Sequence, residues 1–261
     1  MSKIDVKPIK VQLNGKATPI RGLYHIKEST TMVSALDLAK MLGGFQVKGL
    51  GDAINIITDA KVKEEKPYLP LKGRRIAVSA PHKKNANQSP IIKSYYEGNV
   101  MFYTAKLLAE KLRALGATVL LVRDDINDVY TLAERGKEIN AFKPDLCLEA
   151  HTDASGTAST RGVHVIRQIA RSDESFPLDV AKRVSASTGI PMKSDPVWTR
   201  KLNSTSKFDW YYMLREILCE SLIIECGYHT NKHDIQILTK PEFPELVAKA
   251  IADAVVAKYK S

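Results

Sequence analysis

The chain has 261 residues, 44% of them hydrophobic and 26% charged, enough for one large domain, or a large and a small one, whose core folds unaided. Lysine and arginine number 39 against 29 acidic residues, a formal charge of +10 that favours polyanionic partners. The excess is spread, with 11 basic and 7 acidic residues up to Pro70 and 28 and 22 beyond it, and no basic arm stands out, which argues against a nucleic-acid partner.

The N-terminus, MSKIDVKPIKVQLNGK, has no apolar stretch of secretory length, and no later segment approaches a membrane span. The expectation is a protein made in the cytoplasm, not inserted in a membrane, that meets any outside target only after release. Residues 1–60 read as a small α+β domain. Ile9 to Leu13 is a short strand, Asn14-Gly15 a hairpin turn, and Ala17 to Ile20 the return. Met32 to Leu42 has helical spacing and stops at Gly43-Gly44, and Phe45 to Val47 and Ala53 to Thr58 are strand-like. The charged, proline-bearing segment 61–73 is the linker.

From residue 74 strands and helices alternate. Ile76 to Ala80 is a strand, Glu97 to Leu115 a helix stopped by Gly116, Thr118 to Val122 a strand, and Leu132 to Phe142 a helix. Leu146 to Ala150 and Gly162 to Ile166 are strands, Pro177 to Thr188 a helix closed by Gly189, Leu222 to Cys226 the last strand, and Pro244 to Tyr259 the C-terminal helix. Nearly continuous apolar strands between helices predict an α/β domain, a mostly parallel sheet flanked by helices. Lys193 to Leu218 shows no clear periodicity, and its Trp198, Trp210, Tyr211 and Tyr212 fit either a substrate groove or core anchors. Cys147, Cys219 and Cys226, odd in number and in or near apolar runs, read as free thiols.

Four polar residues close or open these apolar elements: His82, Glu97, His151 and Glu225. In an open α/β sheet ligands gather outside the carboxyl ends of the strands, so the four could share one crevice. Two histidines and a glutamate suit a catalytic zinc, and a further carboxylate suits proton transfer. Their spacing is not diagnostic, and a histidine at a strand end also serves as a cap or surface residue. Glu149, two residues before His151 and on the same strand face, reads either as a carboxylate that orients an imidazole or as an edge residue. His164 reads as packed in mid-strand or satisfied by a neighbour; His229 and His233 lie in the loop after Glu225, where a surface role is favoured and the nearer, His229, could face substrate.

From about Arg74 onward the chain resembles the zinc-dependent N-acetylmuramoyl-L-alanine amidases often called the amidase 3 family. The carriers are the strand into His82, Tyr96-Glu97, Leu115 to Val119, Val122 to Asp125, Leu132 to Arg135, Ile139-Asn140, Asp145 to Ala154, Gly162 to Val165, and Ile224 to Tyr228 with Asn231 and Asp234. The resemblance implies one zinc per chain held by His82, Glu97 and His151, with Glu225 as the catalytic glutamate. It also implies cleavage of the amide between muramic acid and L-alanine in peptidoglycan. The family's Asp-Pro-Gly-His-Gly-Gly turn is replaced by Ser79-Ala80-Pro81-His82-Lys83-Lys84, so the first-histidine loop must run differently. Asp153 stands where the family has an asparagine, and Asn99 lies slightly nearer to Glu97 than the family's asparagine does.

Residues 1–60 resemble the N-terminal domain of copper amine oxidases through Val11 to Lys16, Ala35 to Gly43 and Ala53 to Thr58, implying a module for wall attachment or self-association. The expectation for the whole is a phage or prophage endolysin, or an autolysin, whose basic charge suits anionic wall polymers. The rivals are a zinc peptidase acting on another amide and an inactive wall-binding or phage structural protein.

Overall fold

The computed structural model describes residues 69–260 and the backbone of four earlier strands, β1 (Lys10–Leu13), β2 (Lys16–Ala17), β3 (Phe45–Leu50) and β4 (Ala53–Thr58). The chain divides into two units, Met1–Pro67 and Tyr68–Ser261. In the first, the strands order β2-β1-β4-β3, with β1 antiparallel to β2 and parallel to β4, and β3 antiparallel to β4. Leu13 opposite Lys16 is the register that an intervening Asn-Gly pair favours. The helix read over Met32 to Leu42 lies outside the described residues. Residues 69–73, read as linker, belong to the second unit: Leu71 is fully buried and its N–H bonds to Leu115 O at 3.0 Å.

The second unit is a six-stranded sheet ordered β6-β5-β7-β10-β8-β9. Its strands are β5 (Arg75–Ser79), β6 (Thr118–Val122), β7 (Leu146–Asp153), β8 (Val163–Arg167), β9 (Met192–Trp198) and β10 (Glu220–Tyr228). All neighbours run parallel except β8 and β10, so the sheet is mostly parallel and flanked by helices, as the pattern predicted. The helices are α1 (Glu97–Ala114), α2 (Leu132–Phe142), α3 (Ser175–Thr188), α4 (Tyr212–Arg215), α5 (Asp234–Leu238) and α6 (Phe243–Lys260). A capping box, Thr131 with Glu134, starts α2, and Gly189 in the left-handed conformation ends α3.

Strand alternation divides the core. Leu146, Leu148 and Ala150 of β7, with Leu222, Ile224 and Cys226 of β10, join the large core that α1, α3 and α6 cover. Cys147 and Ile223 point to the other face and pack with Met213, Ile217 and Leu214 around α2 and α4. Period two therefore puts Glu149, His151 and Glu225 on that second face. A buried leucine contributes about 1.5–3 kcal/mol, so the large core fixes the sheet that the polar residues ride on.

Three elements escaped the sequence pattern. Strand β9 lies at the sheet edge, half exposed and carrying Pro196, where alternation is weak. Helices α4 and α5 are too short to show a helical period. Near the end of β10 the pairing register shifts at Gly227, whose φ is +137°, and the fully buried Asp234 holds that irregularity. Its carboxylate accepts from Tyr228 N at 3.1 Å, Gly162 N at 2.9 Å and Arg161 Nε at 3.0 Å. Replacing Asp234 with alanine strands these donors and should cost about 3 kcal/mol or more in denaturant unfolding. A loss under about 1 kcal/mol would contradict this anchoring role.

Candidate active site

Three parallel strands end side by side, and a cavity of about 760 Å³ opens beyond them. It is lined by His82, Glu97, Glu149, His151 and Glu225, so every site residue read from the sequence reaches it. His82 follows β5, Glu97 is the first residue of α1, Glu149 and His151 lie on β7, and Glu225 lies on β10 level with His151.

The loop at His82 makes its turn without the family's glycines. His82, Asn85 and Asn87 carry positive φ values of 48°, 59° and 54°, a region asparagine tolerates better than most residues. Buried Arg123 donates to the carbonyls of His82 and Pro81, the latter at 3.2 Å, and so clamps the strained residue. The loop then rests on the start of α1, where Glu97 N bonds Asn87 O at 3.1 Å and Gly98 N bonds Ala86 O at 3.2 Å. Asn99 seals it, accepting from Asn85 N at 2.8 Å. Only glycine fits at position 98, because a Cβ there would lie 2.1 Å from Lys83 O. Lys83 and Lys84 are exposed, and Lys84 donates to Asn127.

Glu97 is the hub. Its Oε1 is 2.9 Å from His151 Nδ1 and 3.4 Å from His82 Nε2, and it accepts from Thr152 N at 3.1 Å. Oε2 accepts from Asn87 Nδ2 at 2.6 Å. Burial alone would raise the Glu97 pKa, but the two imidazoles outweigh it and hold the carboxyl well below its ordinary range. One donor atom from each of His82, Glu97 and His151 lies within 4.8 Å of the others. Tetrahedral zinc with nitrogen and oxygen ligands needs separations of roughly 3.4 Å, so small rotations close the set.

Electrostatics also favour a cation here. Glu149 is buried, accepts from Ser79 Oγ at 2.7 Å and is paired with Arg135 Nη1. Burial opposes its charge, yet Arg135 and His151 hold its pKa down at about 2. Against burial, Glu149 and Glu97 raise the pKa of His151 well above the usual histidine value. Two carboxylates facing a single guanidinium thus favour a positive charge at His151, a place a metal ion would take with release of any proton held there.

Glu225 differs. It is buried and its Oε2 makes no hydrogen bond. Burial pushes its pKa well above the carboxylate range; His151 opposes the shift, while Asp153, Glu97 and Glu149 reinforce it. A carboxyl whose pKa is raised beside a cation site is suited to general acid–base work.

The sequence placed other residues less well. His229 is not on the surface: it is buried, lines the cavity, and its Nδ1 lies 3.1 Å from Thr152 O. Strand β10 outlasts its apolar run, which carries the following residue inward. His233 is exposed. Tyr211 and Tyr212 line the cavity, while Trp198 stacks on His164 and Trp210 is largely exposed. Arg135, Asn87, Thr152 and Arg123 went unassigned; Arg135, Thr152 and Arg123 had a signal in the stretches Leu132 to Arg135, Asp145 to Ala154 and Val122 to Asp125 that carry the resemblance, and Asn87 had none. All three cysteines are free.

An α/β domain with a His-Glu-His cluster at the strand ends, next to an unpartnered buried carboxyl, defines a protein with a candidate metal-hydrolase centre. The profile of a family described as N-acetylmuramoyl-L-alanine amidase matches residues 76–257, and the chain belongs to that family. It is similar to the N-acetylmuramoyl-L-alanine amidase LytC of Bacillus subtilis, 23% identical over 225 residues, covering 85% of this chain but 42% of LytC. It thus spans less than half the length of that relative. The probable cell wall amidase LytH of Staphylococcus epidermidis is 26% identical, with 82% of this chain and 67% of LytH aligned. The catalytic domain of CwlV, an amidase from Bacillus (Paenibacillus) polymyxa, shares the fold, with a TM-score of 0.61 at 20% identity over 72% of this chain and 98% of that domain.

His164 flanks Glu225 on β8, fully buried, with no hydrogen bond to either ring nitrogen. Burial pushes its pKa down to about 4, with Asp153 pulling the other way. The unfolded chain, with an ordinary histidine pKa near about 6.5, binds more protons between those values. Stability from neutral His164 is therefore complete above about pH 6.5 and is lost as pH falls towards 4, by up to about 1.4 kcal/mol per pH unit. Denaturant midpoints from pH 7 to 5 should fall less steeply for His164→Leu than for wild type; parallel curves would contradict the assignment.

Proposed function

We propose that the second unit hydrolyses the amide between N-acetylmuramic acid and L-alanine in peptidoglycan, using one zinc ion held by His82, Glu97 and His151. The observation that carries this reading is the bare, buried Glu225 carboxyl beside the His-Glu-His cluster, within one cavity. The family supports the choice of amide. Bound zinc would supply a Lewis acid for the carbonyl oxygen and would make water acidic enough to attack at neutral pH.

The protein's own groups do the rest. Asn87 and Thr152 N hold Glu97 in place, and Arg123 holds the His82 loop against the first turn of α1. Glu225 accepts a proton from the attacking water and returns it to the leaving alanine nitrogen, which departs as a neutral amine. Burial lifts the Glu225 pKa above that of a solvated glutamate, which makes its carboxylate a stronger base for the first step and lets the carboxyl hold the proton for the second. The cavity is wide enough for a sugar and the start of a stem peptide, with Tyr211 and Tyr212 on its wall.

The same proposal makes the protein a lytic enzyme, a phage or prophage endolysin or an autolysin, acting on the wall after release. The charge of +10 supports attraction to anionic wall polymers. The first unit is assigned to wall attachment or self-association, supported by its likeness to the small domain of copper amine oxidases.

Incubation with Gram-positive peptidoglycan should expose new N-terminal alanine without new reducing ends. Glu225→Gln should retain about one zinc per chain while turnover falls about 10²- to 10⁴-fold. Release of other amino termini would favour a peptidase acting on another amide. An intact wall with a metal-free protein would favour a binding module.

A further inference from the structure

We infer that Glu149 is a positioning residue for the metal centre: it sets which nitrogen of His151 faces the ligand cluster, and Arg135 and Ser79 hold it to that task. The inference rests on the metal site proposed above. His151 is bracketed by two carboxylates, with Nδ1 2.9 Å from Glu97 Oε1 and Nε2 3.1 Å from Glu149 Oε2. Nδ1 thus looks towards the ligand set. Nε2 is buried and not yet aligned for a hydrogen bond, which a small turn of the ring supplies. A carboxylate there accepts Nε2–H, and so leaves Nδ1 as the nitrogen that gives up its proton to a metal.

Glu149 is itself over-determined. Its Oε1 accepts from Ser79 Oγ at 2.7 Å and from Arg135 Nη1, and Arg135 Nη1 also reaches Ser79 Oγ at 3.1 Å and Ala80 O at 3.3 Å. These contacts fix one oxygen and leave Oε2 for the imidazole. A simpler account would have Glu149 do no more than neutralise the buried Arg135.

The sheet register separates the two accounts. Ser79 and Glu149 are direct neighbours across β5 and β7, on the same face, and both touch Arg135. The double variant Ser79→Asp/Glu149→Ser moves the carboxylate one strand over, where it still meets Arg135 but not His151. Neutralisation of Arg135 survives in this variant, and orientation of His151 does not.

Zinc affinity is read by competition with a chromogenic chelator for wild type, the double variant and Glu149→Gln. Denaturant midpoints and the imidazole N–H proton resonances of the zinc-loaded proteins are recorded alongside. The expected result is a double variant as stable as wild type, with zinc affinity about 10- to 100-fold weaker and the His151 Nε2–H resonance lost. If the double variant does not fold, Glu149→Gln decides: its amide keeps an oxygen for Ser79 and Arg135 but turns a donor towards Nε2–H, so a loss of at least about tenfold is expected. Wild-type affinity in whichever variant folds would overturn the inference while the metal site stands. A wild type that takes up no zinc would remove the proposed function and this inference together.

Discussion

The pairing of β7 with β10 is the constraint on which the site depends. Their parallel register sets Glu225 beside His151, and a slip of one residue would turn Glu225 into the apolar core and Cys226 towards the cavity. The slip is prevented from the far face, where Leu146, Leu148, Leu222 and Ile224 interlock with the long helices. Hydrophobic packing on one side of the sheet thus fixes polar geometry on the other.

Because the sheet is so well covered, the charged groups at its carboxyl edge are out of water, and each must be matched or neutral. Glu97 is matched by two imidazoles, a backbone N–H and Asn87. Glu149 is matched by Arg135 and Ser79. Glu225 has no such partner, and burial pushes its pKa up instead. Under the same burial two glutamates are therefore held below the ordinary carboxylate range and the third is pushed above it, and an acid–base group beside a cation site follows from the contrast.

The fold was legible because strands such as Leu146 to Ala150 and helices such as Pro244 to Tyr259 bury most of their apolar residues, so periodicity reports the layer they occupy. The site was legible for a related reason: His82, His151 and Glu225 end or interrupt apolar runs, where a core would not tolerate them without a task. What escaped has equally physical grounds. Edge strand β9 faces solvent and so carries no alternation. Arg123 reaches 41 residues back to His82 and Arg135 56 residues back to Ser79 as well as 14 forward to Glu149, and local pattern holds no trace of such partners. The His82 turn shows the limit of motif reading: the glycines of the resembled family are absent, yet positive φ at His82 and two asparagines, clamped by Arg123, brings the imidazole to the cluster.

Anomalous diffraction at the zinc edge from crystals of the full chain tests the central claim most directly. The account predicts a single strong peak within about 2.0–2.2 Å of one nitrogen each of His82 and His151 and an oxygen of Glu97, on the side of the cavity that Glu225 faces. A zinc-soaked crystal with no peak there, or with zinc held by other residues, would contradict it.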